Sequence, residues 1–180
     1  MCNRSNKGFT LVELMLAMTI TAMLLAAVGT AVHGALHSYT QNENLADAMQ
    51  TTRAVLAQIA RDIRTADTYH GEDASHYDVT WNSGTKKLTL IPPDVGINSI
   101  EYEFASGELN KRIVTGAGTT THTLIAASDR VQVTGFTVDT EQDPAESDRT
   151  LSVTITLTLQ AGGISYPMTT TASPRRNQTY

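Results

Sequence analysis

The chain has 180 residues, a formal net charge of -5 at pH 7 and 6% aromatic residues. This length accommodates one domain of about 100–150 residues and an additional segment, but it excludes two large domains. The acidic balance and the scarcity of aromatic residues argue against a nucleic-acid partner. The single cysteine, Cys2, excludes a disulfide framework within the chain and a zinc site built from cysteines.

Charged residues are unevenly distributed along the chain. None occurs between Glu13 and Glu43, although 17% of the residues are charged. The apolar stretch 14–36 spans roughly 30 Å as a helix, which is the thickness of a bilayer core. Arg4 and Lys7 precede it and no basic residue follows closely, which predicts a cytoplasmic amino terminus. A secretory signal cleaved within or just after the apolar stretch is the alternative.

The segment G-F-T-L-V-E at residues 8–13 follows a short basic leader and precedes the apolar stretch. It resembles the processing signal of type IV pilins and type II secretion pseudopilins. The resemblance implies that a prepilin peptidase removes residues 1–8 by cutting between Gly8 and Phe9, and methylates the new amine of Phe9. Loss of Arg4 and Lys7 leaves 11 basic and 18 acidic residues, so the mature chain would carry a charge of -7.

Glu13 places a carboxylate near the start of the apolar stretch, where it is costly unless it is paired or interfacial. In the family that the sequence resembles, the corresponding glutamate pairs with the positive amine of a neighbouring subunit's first residue. The resemblance therefore implies an assembly role for Glu13; a position at the headgroup level is the alternative. It also implies a single-pass inner-membrane protein whose partners are other pilin-like subunits, the prepilin peptidase, an inner-membrane assembly platform and the lipid bilayer.

Apolar positions recur at alternating steps of four and three between residues 38 and 66, which predicts a helix with one buried stripe. The stripe consists of Leu45, Met49, Thr52, Leu56, Ile59 and Ile63. Because no proline precedes Pro92, we predict one helix of about 55 residues and about 80 Å. Residues 9–36 would face lipid and 37–68 would pack on a head, with Gly29 and Gly34 as soft points. A coiled coil is the alternative. The family often has a proline in the membrane half, and this chain departs from that pattern.

From residue 69 the pattern changes to alternation with period two, which predicts a β-rich head over 69–180. Glycine-containing turns at 105–108 and 161–163 would join strands 100–104 with 109–114 and strands 151–159 with 164–171. Further strands are predicted at 77–81, 87–91, 123–127 and 131–138. The predicted fold class is α+β, a long N-terminal helix with an antiparallel β-sheet head in one sheet or two small sheets.

Three head segments resemble those of J-type minor pseudopilins and PilW-like minor pilins. They are I-E-Y-E-F-A-S-G-E-L-N-K-R, V-Q-V-T-G-F-T-V and Y-P-M-T-T-T-A-S-P-R-R-N. The resemblance implies a minor, tip-proximal subunit of a type II secretion pseudopilus or a type IV pilus. The alternative is a β-rich binding module, anchored or secreted, that does not enter a filament.

Local signatures of hydrolases and nucleotide-binding enzymes do not occur in the sequence, so we predict no catalytic residues, although an envelope enzyme with an unrecognised site stays open. No cofactor is predicted. Residues 70–78 hold His70, Glu72, Asp73, His76 and Asp78, but their spacing fits no defined metal site. Residues 141–148 are acidic enough to attract calcium, as a head loop does in some pseudopilins. Solvated loops are the favoured interpretation of both segments.

Overall fold

The computed structural model describes residues 8–66, 79–92, 96–127, 131–142, 144, 150–161 and 164–174. One helix is followed by eight strands in two antiparallel sheets, which confirms the predicted α+β fold class. The elements in chain order are α1 (Leu11–Thr65), β1 (Val79–Asn82), β2 (Lys87–Leu90), β3 (Ile97–Ala105), β4 (Glu108–Thr115), β5 (Gly118–Ile125), β6 (Val131–Gln142), β7 (Thr150–Ala161) and β8 (Ile164–Ala172).

Helix α1 has 55 residues and continues through Gly29 and Gly34. The chain divides within it into two compact units, 1–42 and 43–180. In the second unit, four of the six predicted stripe residues are buried, whereas Leu45 and Met49 are half-buried. Ala48, Val55 and Ala60 are buried as well. The buried stripe is therefore wider than a coiled-coil seam, as expected for a helix that lies on a sheet.

The first sheet has five strands in the order β1-β2-β3-β4-β5, and the second has three in the order β6-β7-β8. Within each sheet, consecutive strands pair antiparallel, whereas β5 and β6 belong to different sheets. The β3–β4 hairpin closes through Ser106 and Gly107, both with positive φ angles of 54° and 81°. Two consecutive positive φ angles are typical of a type I′ turn, whose twist matches that of paired strands.

Most of the predicted strands are present, but they begin or end at different residues. The strand predicted at 123–127 differs most, because β5 starts at Gly118 and ends at Ile125. Only its last residue is buried and the first six are exposed, so alternation of apolar residues could not reveal the strand. Tyr77 and Asp78 of the first predicted strand, and Gly162 and Gly163 of the last predicted turn, lie outside the described residues.

The buried side chains of α1 and of both sheets form one core. Trp81 of β1 meets Phe136 of β6 edge to face, with 5.4 Å between the ring centroids, and this contact joins the two sheets. On β7, Val153, Ile155 and Leu157 are fully buried. The intervening threonines of β7 hydrogen-bond to threonines of β8 on the other face, at 3.0 and 3.1 Å. The predicted alternation of a buried and a solvated face is confirmed for β7.

Candidate functional site

The amino-terminal part of α1 presents an uninterrupted exposed apolar surface. Every residue from Gly8 to Asn42 is exposed, and the large side chains include Phe9, which is 85% exposed. By length and composition this helix could cross a membrane. A water-soluble protein would seldom leave so large an apolar surface uncovered, so lipid or another apolar helix is the expected environment.

The threonines in this apolar stretch are compatible with lipid. Thr19 donates a hydrogen bond to the carbonyl of Leu16, and Thr21 donates to that of Ala17, both at 2.8 Å. Thr30 does the same to Ala27 at 2.9 Å. Because each hydroxyl uses a carbonyl of its own helix, its polarity is satisfied without water or a partner chain.

Thr10 and Glu13 form a reciprocal cap at the start of α1. The Thr10 hydroxyl accepts from the Glu13 backbone N–H, and the Glu13 carboxylate accepts from the Thr10 backbone N–H, each at 3.3 Å. The Thr10 hydroxyl also donates to that carboxylate at 3.3 Å. This arrangement is a capping box, which satisfies two backbone donors that the first helical turn leaves without partners. Its negative charge also lies at the positive end of the helix dipole.

The residues predicted for processing and assembly, Gly8, Phe9 and Glu13, lie close together at this capped start of α1. Gly8 and Phe9 precede the cap and are exposed, and a Cβ atom added to Gly8 would meet no atom within 4 Å. Nothing in the described fold therefore requires glycine at this position. Glu13 stabilises its own helix, a role that the sequence interpretation missed although the T-x-x-E spacing was a recognisable signal.

The head contains a polar cluster that ties α1 to the five-stranded sheet. The Asp62 carboxylate accepts a hydrogen bond from the Tyr102 hydroxyl and pairs with the Lys111 ammonium, both at 2.5 Å. Tyr102 is fully buried, and the side chains of Lys111 and Asp62 are only 12% and 16% exposed. Burial, the hydrogen bond from Tyr102 to Asp62 and the Asp62 charge raise the pKa of Tyr102 well above its ordinary value.

The raised pKa of Tyr102 predicts a loss of stability in alkali. Above about pH 10 the unfolded chain releases this proton while the folded chain keeps it, so the free energy of unfolding falls as the pH rises. One proton contributes at most about 1.4 kcal/mol per pH unit. Between about pH 10 and 11, we expect the free energy of unfolding of Tyr102→Phe to fall less steeply with pH than that of the parent chain. Denaturant titrations followed by circular dichroism measure this dependence, with Tyr166→Phe as the control. Identical slopes of unfolding free energy against pH for the parent and both variants would contradict the prediction.

The two segments considered as possible metal sites, and interpreted as solvated loops, lie mostly outside the described residues. Residues 70–78 lie outside the described residues, as do 143 and 145–148 of the acidic segment. Glu141 is described, and its carboxylate accepts a hydrogen bond from Ser152 at 3.0 Å. Across the described ranges, no group of three or more His, Cys, Asp or Glu side chains could hold a metal ion.

A capped apolar helix, continued by an amphipathic half that packs on antiparallel sheets, defines a pilin-like architecture. A family model described as the prokaryotic N-terminal methylation motif matches residues 3–29. The match supports the resemblance of this segment to type IV pilin-like proteins and pseudopilins, a structural family whose members are substrates of a prepilin peptidase. It covers the amino-terminal segment and does not extend to the head. Neither the curated proteins nor the solved structures contain a match to this chain.

Proposed function

We propose that the chain is a structural subunit of a type II secretion pseudopilus or a type IV pilus. The observation that carries this proposal is the exposed apolar helix that begins at a capped glutamate within the methylation motif. Such a surface can be covered by lipid before assembly and by apolar helices of other pilin-like subunits afterwards. The subunit would be anchored in the inner membrane by a single span, with its amino terminus in the cytoplasm and its head outside.

The proposed maturation begins with a prepilin peptidase that cuts between Gly8 and Phe9 and methylates the Phe9 amine. Both residues are exposed and precede the first helical turn, so the peptide bond is accessible to an enzyme. An inner-membrane assembly platform then incorporates the mature chain. The loose resemblance of the head to J-type pseudopilins and PilW-like pilins supports a minor, tip-proximal position.

Intact mass and N-terminal sequencing of the membrane-extracted native protein test the proposal. We expect a chain that starts at Phe9 and carries one added methyl group. A start beyond the apolar stretch would overturn the filament hypothesis and favour a secreted β-rich module. An unprocessed start at Met1 would also overturn it.

Glu13 is proposed to neutralise the Phe9 amine of a neighbouring subunit during assembly. Charge and capping can be separated, because glutamine retains the capping-box geometry but removes the charge. We expect Glu13→Gln to be processed normally but to enter filaments poorly. Its amount in the sheared filament fraction should fall at least about tenfold, because the charged Phe9 amine of the neighbouring subunit would lie near lipid without a partner. Immunoblots of the sheared fraction measure this.

Thr10→Val is the matched control, since it removes the cap hydroxyl and leaves the Glu13 charge in place. This variant should still enter filaments. If Glu13→Gln assembles as the parent does while Thr10→Val fails, then the cap rather than charge pairing explains the role of Glu13.

A further inference from the structure

Strand β5 forms one edge of the five-stranded sheet. Across the described residues it pairs with β4 alone, and Gly118 to Thr123 keep an uninterrupted register with that strand. All six residues of this stretch are exposed. At about 3.4 Å per residue, the stretch presents roughly 20 Å of sheet edge to a partner.

The turn between β4 and β5 determines which backbone groups of β5 face outward. Thr115 and Gly118 pair across a two-residue turn, and the closing pair of such a turn is hydrogen-bonded. Because hydrogen-bonded pairs alternate with non-hydrogen-bonded pairs, Thr119, Thr121 and Thr123 direct their N–H and C=O groups away from β4. These groups are the donors and acceptors that an additional strand would use.

The other edge strands carry features that discourage pairing with a further chain. Strand β1 has only four residues, β8 contains Pro167, and β6 carries Asp139 and Glu141 and two shifts of register. Short length, proline, charge and bulges are the usual protections of a sheet edge. Strand β5 has eight residues without proline, lysine, arginine or a carboxylate, and its register shifts only beyond Thr123. Among the edges of the described sheets, β5 is therefore the best suited to accept another strand.

A groove lies between α1 and the carboxyl end of β5. Its volume is about 570 Å³, and its lining includes Asp47, Gln50, Val55 and Gln58 of α1 and Leu124 of β5. Asp47 is the charged member of this lining and is exposed. A strand added to β5 would lie about 4.8 Å from it, and the side chains on one of its faces would then point towards the groove.

We propose that β5 and this groove form a docking site for an extended basic segment of a different protein. The segment adds to the sheet as a sixth strand, and its backbone binds the outward N–H and C=O groups of Thr119, Thr121 and Thr123. Its side chains that face α1 enter the groove, where Gln50 and Gln58 supply amide donors and acceptors. Main-chain bonds thus provide affinity, and the groove provides selectivity.

Charge identifies the kind of segment that fits the site. An arginine or lysine at the groove pairs with Asp47, and the chain's net charge of -5 also favours a basic partner. A second copy of β5 supplies no lysine or arginine, so pairing of two β5 edges leaves Asp47 without a cation. The site therefore selects a different chain. Docking of this kind does not require the chain to enter a filament, and it goes beyond the proposed function.

A defined peptide tests the docking site on the purified full chain in detergent micelles. The probe is a fluorescein-labelled peptide as long as β5 that alternates valine and threonine, with arginine replacing one residue at each position in turn. We expect at least one of these peptides to bind, as measured by fluorescence anisotropy. Binding should slow the amide hydrogen exchange of Thr119, Thr121 and Thr123, whose outward N–H groups exchange rapidly in the free chain.

The charge of the probe tests the role of Asp47. Glutamate in place of arginine in the bound peptide should weaken binding at least about threefold, as expected when an exposed ion pair becomes a repulsive pair. With Asp47→Lys, the glutamate peptide should bind more tightly than the arginine peptide. Asp139→Lys, the same change at an exposed position of β6, is the matched control and should preserve the order seen with the parent.

Substitutions at Thr121 test recognition through the backbone. Thr121→Pro removes an outward N–H but no hydrogen bond between β4 and β5, and proline is tolerated at such edge positions. Binding of the arginine peptide should weaken at least about tenfold, because one acceptor of the peptide is then buried without a donor. Thr121→Val removes the hydroxyl and keeps the N–H, so it should bind as the parent does. Thr119→Pro repeats the test at a second outward N–H, and circular dichroism verifies that each variant is folded.

Three results would overturn the docking site: no binding of any arginine peptide, equal binding of the arginine and glutamate peptides, or proline variants that bind as the parent does. Slow exchange at Thr119, Thr121 and Thr123 in the free chain would also overturn it. If that protection is independent of protein concentration, another segment of this chain occupies the edge; if it increases with concentration, a second copy does. The proposed function stands in each of these cases, because N-terminal sequencing of the native protein tests it separately.

Discussion

Replacing Gly8 with valine is expected to leave the chain as an uncleaved precursor. A β-branched side chain next to the predicted cleavage bond blocks the close approach of a protease to the backbone, which glycine allows. The change should not disturb the fold, because a Cβ atom at Gly8 meets no atom within 4 Å and the helix begins only at Leu11. Processing should fall at least about a hundredfold, a factor typical when reacting groups are displaced by about 1 Å.

Electrophoretic mobility and intact mass of membrane extracts distinguish the precursor from the mature chain. Gly8→Ala provides a graded comparison, since it adds only one methyl group, and it should be processed at an intermediate rate. Gly34→Ala adds the same methyl group in open space within the apolar helix, and its processing should match the parent. Normal mobility of Gly8→Val would refute the assignment of the cleavage site to the Gly8–Phe9 bond.

The helix and most of the head could be predicted because their patterns are local. Helix α1 was predicted from a charge-free apolar stretch, from apolar positions at steps of four and three residues, and from the absence of proline. Strand β7 was predicted from alternation with period two. The prediction of a narrow stripe missed Ala48, Val55 and Ala60. The sequence predicted packing on a β-rich head but not how wide a face of the helix the sheets would cover, and a helix on a sheet buries a wider face than a helix in a coiled coil.

Other features were not predictable for physical reasons. The first six residues of β5 are exposed on an edge strand, so their threonines carry no signal of a buried face. The cluster of Asp62, Tyr102 and Lys111 joins positions 40 and 49 residues apart, and it depends on the register of β3 with β4. Helical periodicity places Asp62 at one flank of the buried stripe, seven positions after Val55. It does not identify what that flank meets.

The capping box differs from these cases because its signal was local and visible. The residues Thr10 to Glu13 have the T-x-x-E spacing of a helix start before an apolar run. They also belong to the segment that resembles a processing signal. They were interpreted only in that role, and the cap was missed. The two roles are compatible, since the cap orders the first turn of the helix immediately after the proposed cleavage site.

Removing the Asp62 carboxylate is expected to destabilise the head strongly. In Asp62→Ala, the Lys111 ammonium loses its ion pair and the buried Tyr102 hydroxyl loses its hydrogen-bond acceptor. Breaking a largely buried pair by deleting one partner costs about 3–5 kcal/mol, because the remaining charge is left without compensation. Denaturant unfolding of the full chain in detergent, followed by the β-sheet circular dichroism signal, measures the decrease.

The apolar triple variant Asp62→Leu, Tyr102→Phe and Lys111→Met separates the cost of an unpaired charge from the net value of the cluster. All three polar groups are then absent, so none is buried without a partner, and the loss should be about 1 kcal/mol or less. Arg61→Ala, one position away on the exposed side of α1, should change stability by less than about 0.5 kcal/mol. A triple variant as unstable as Asp62→Ala would mean that the cluster contributes through its own attraction. Recovery would instead mean that Asp62 is required chiefly because Lys111 and Tyr102 are buried beside it.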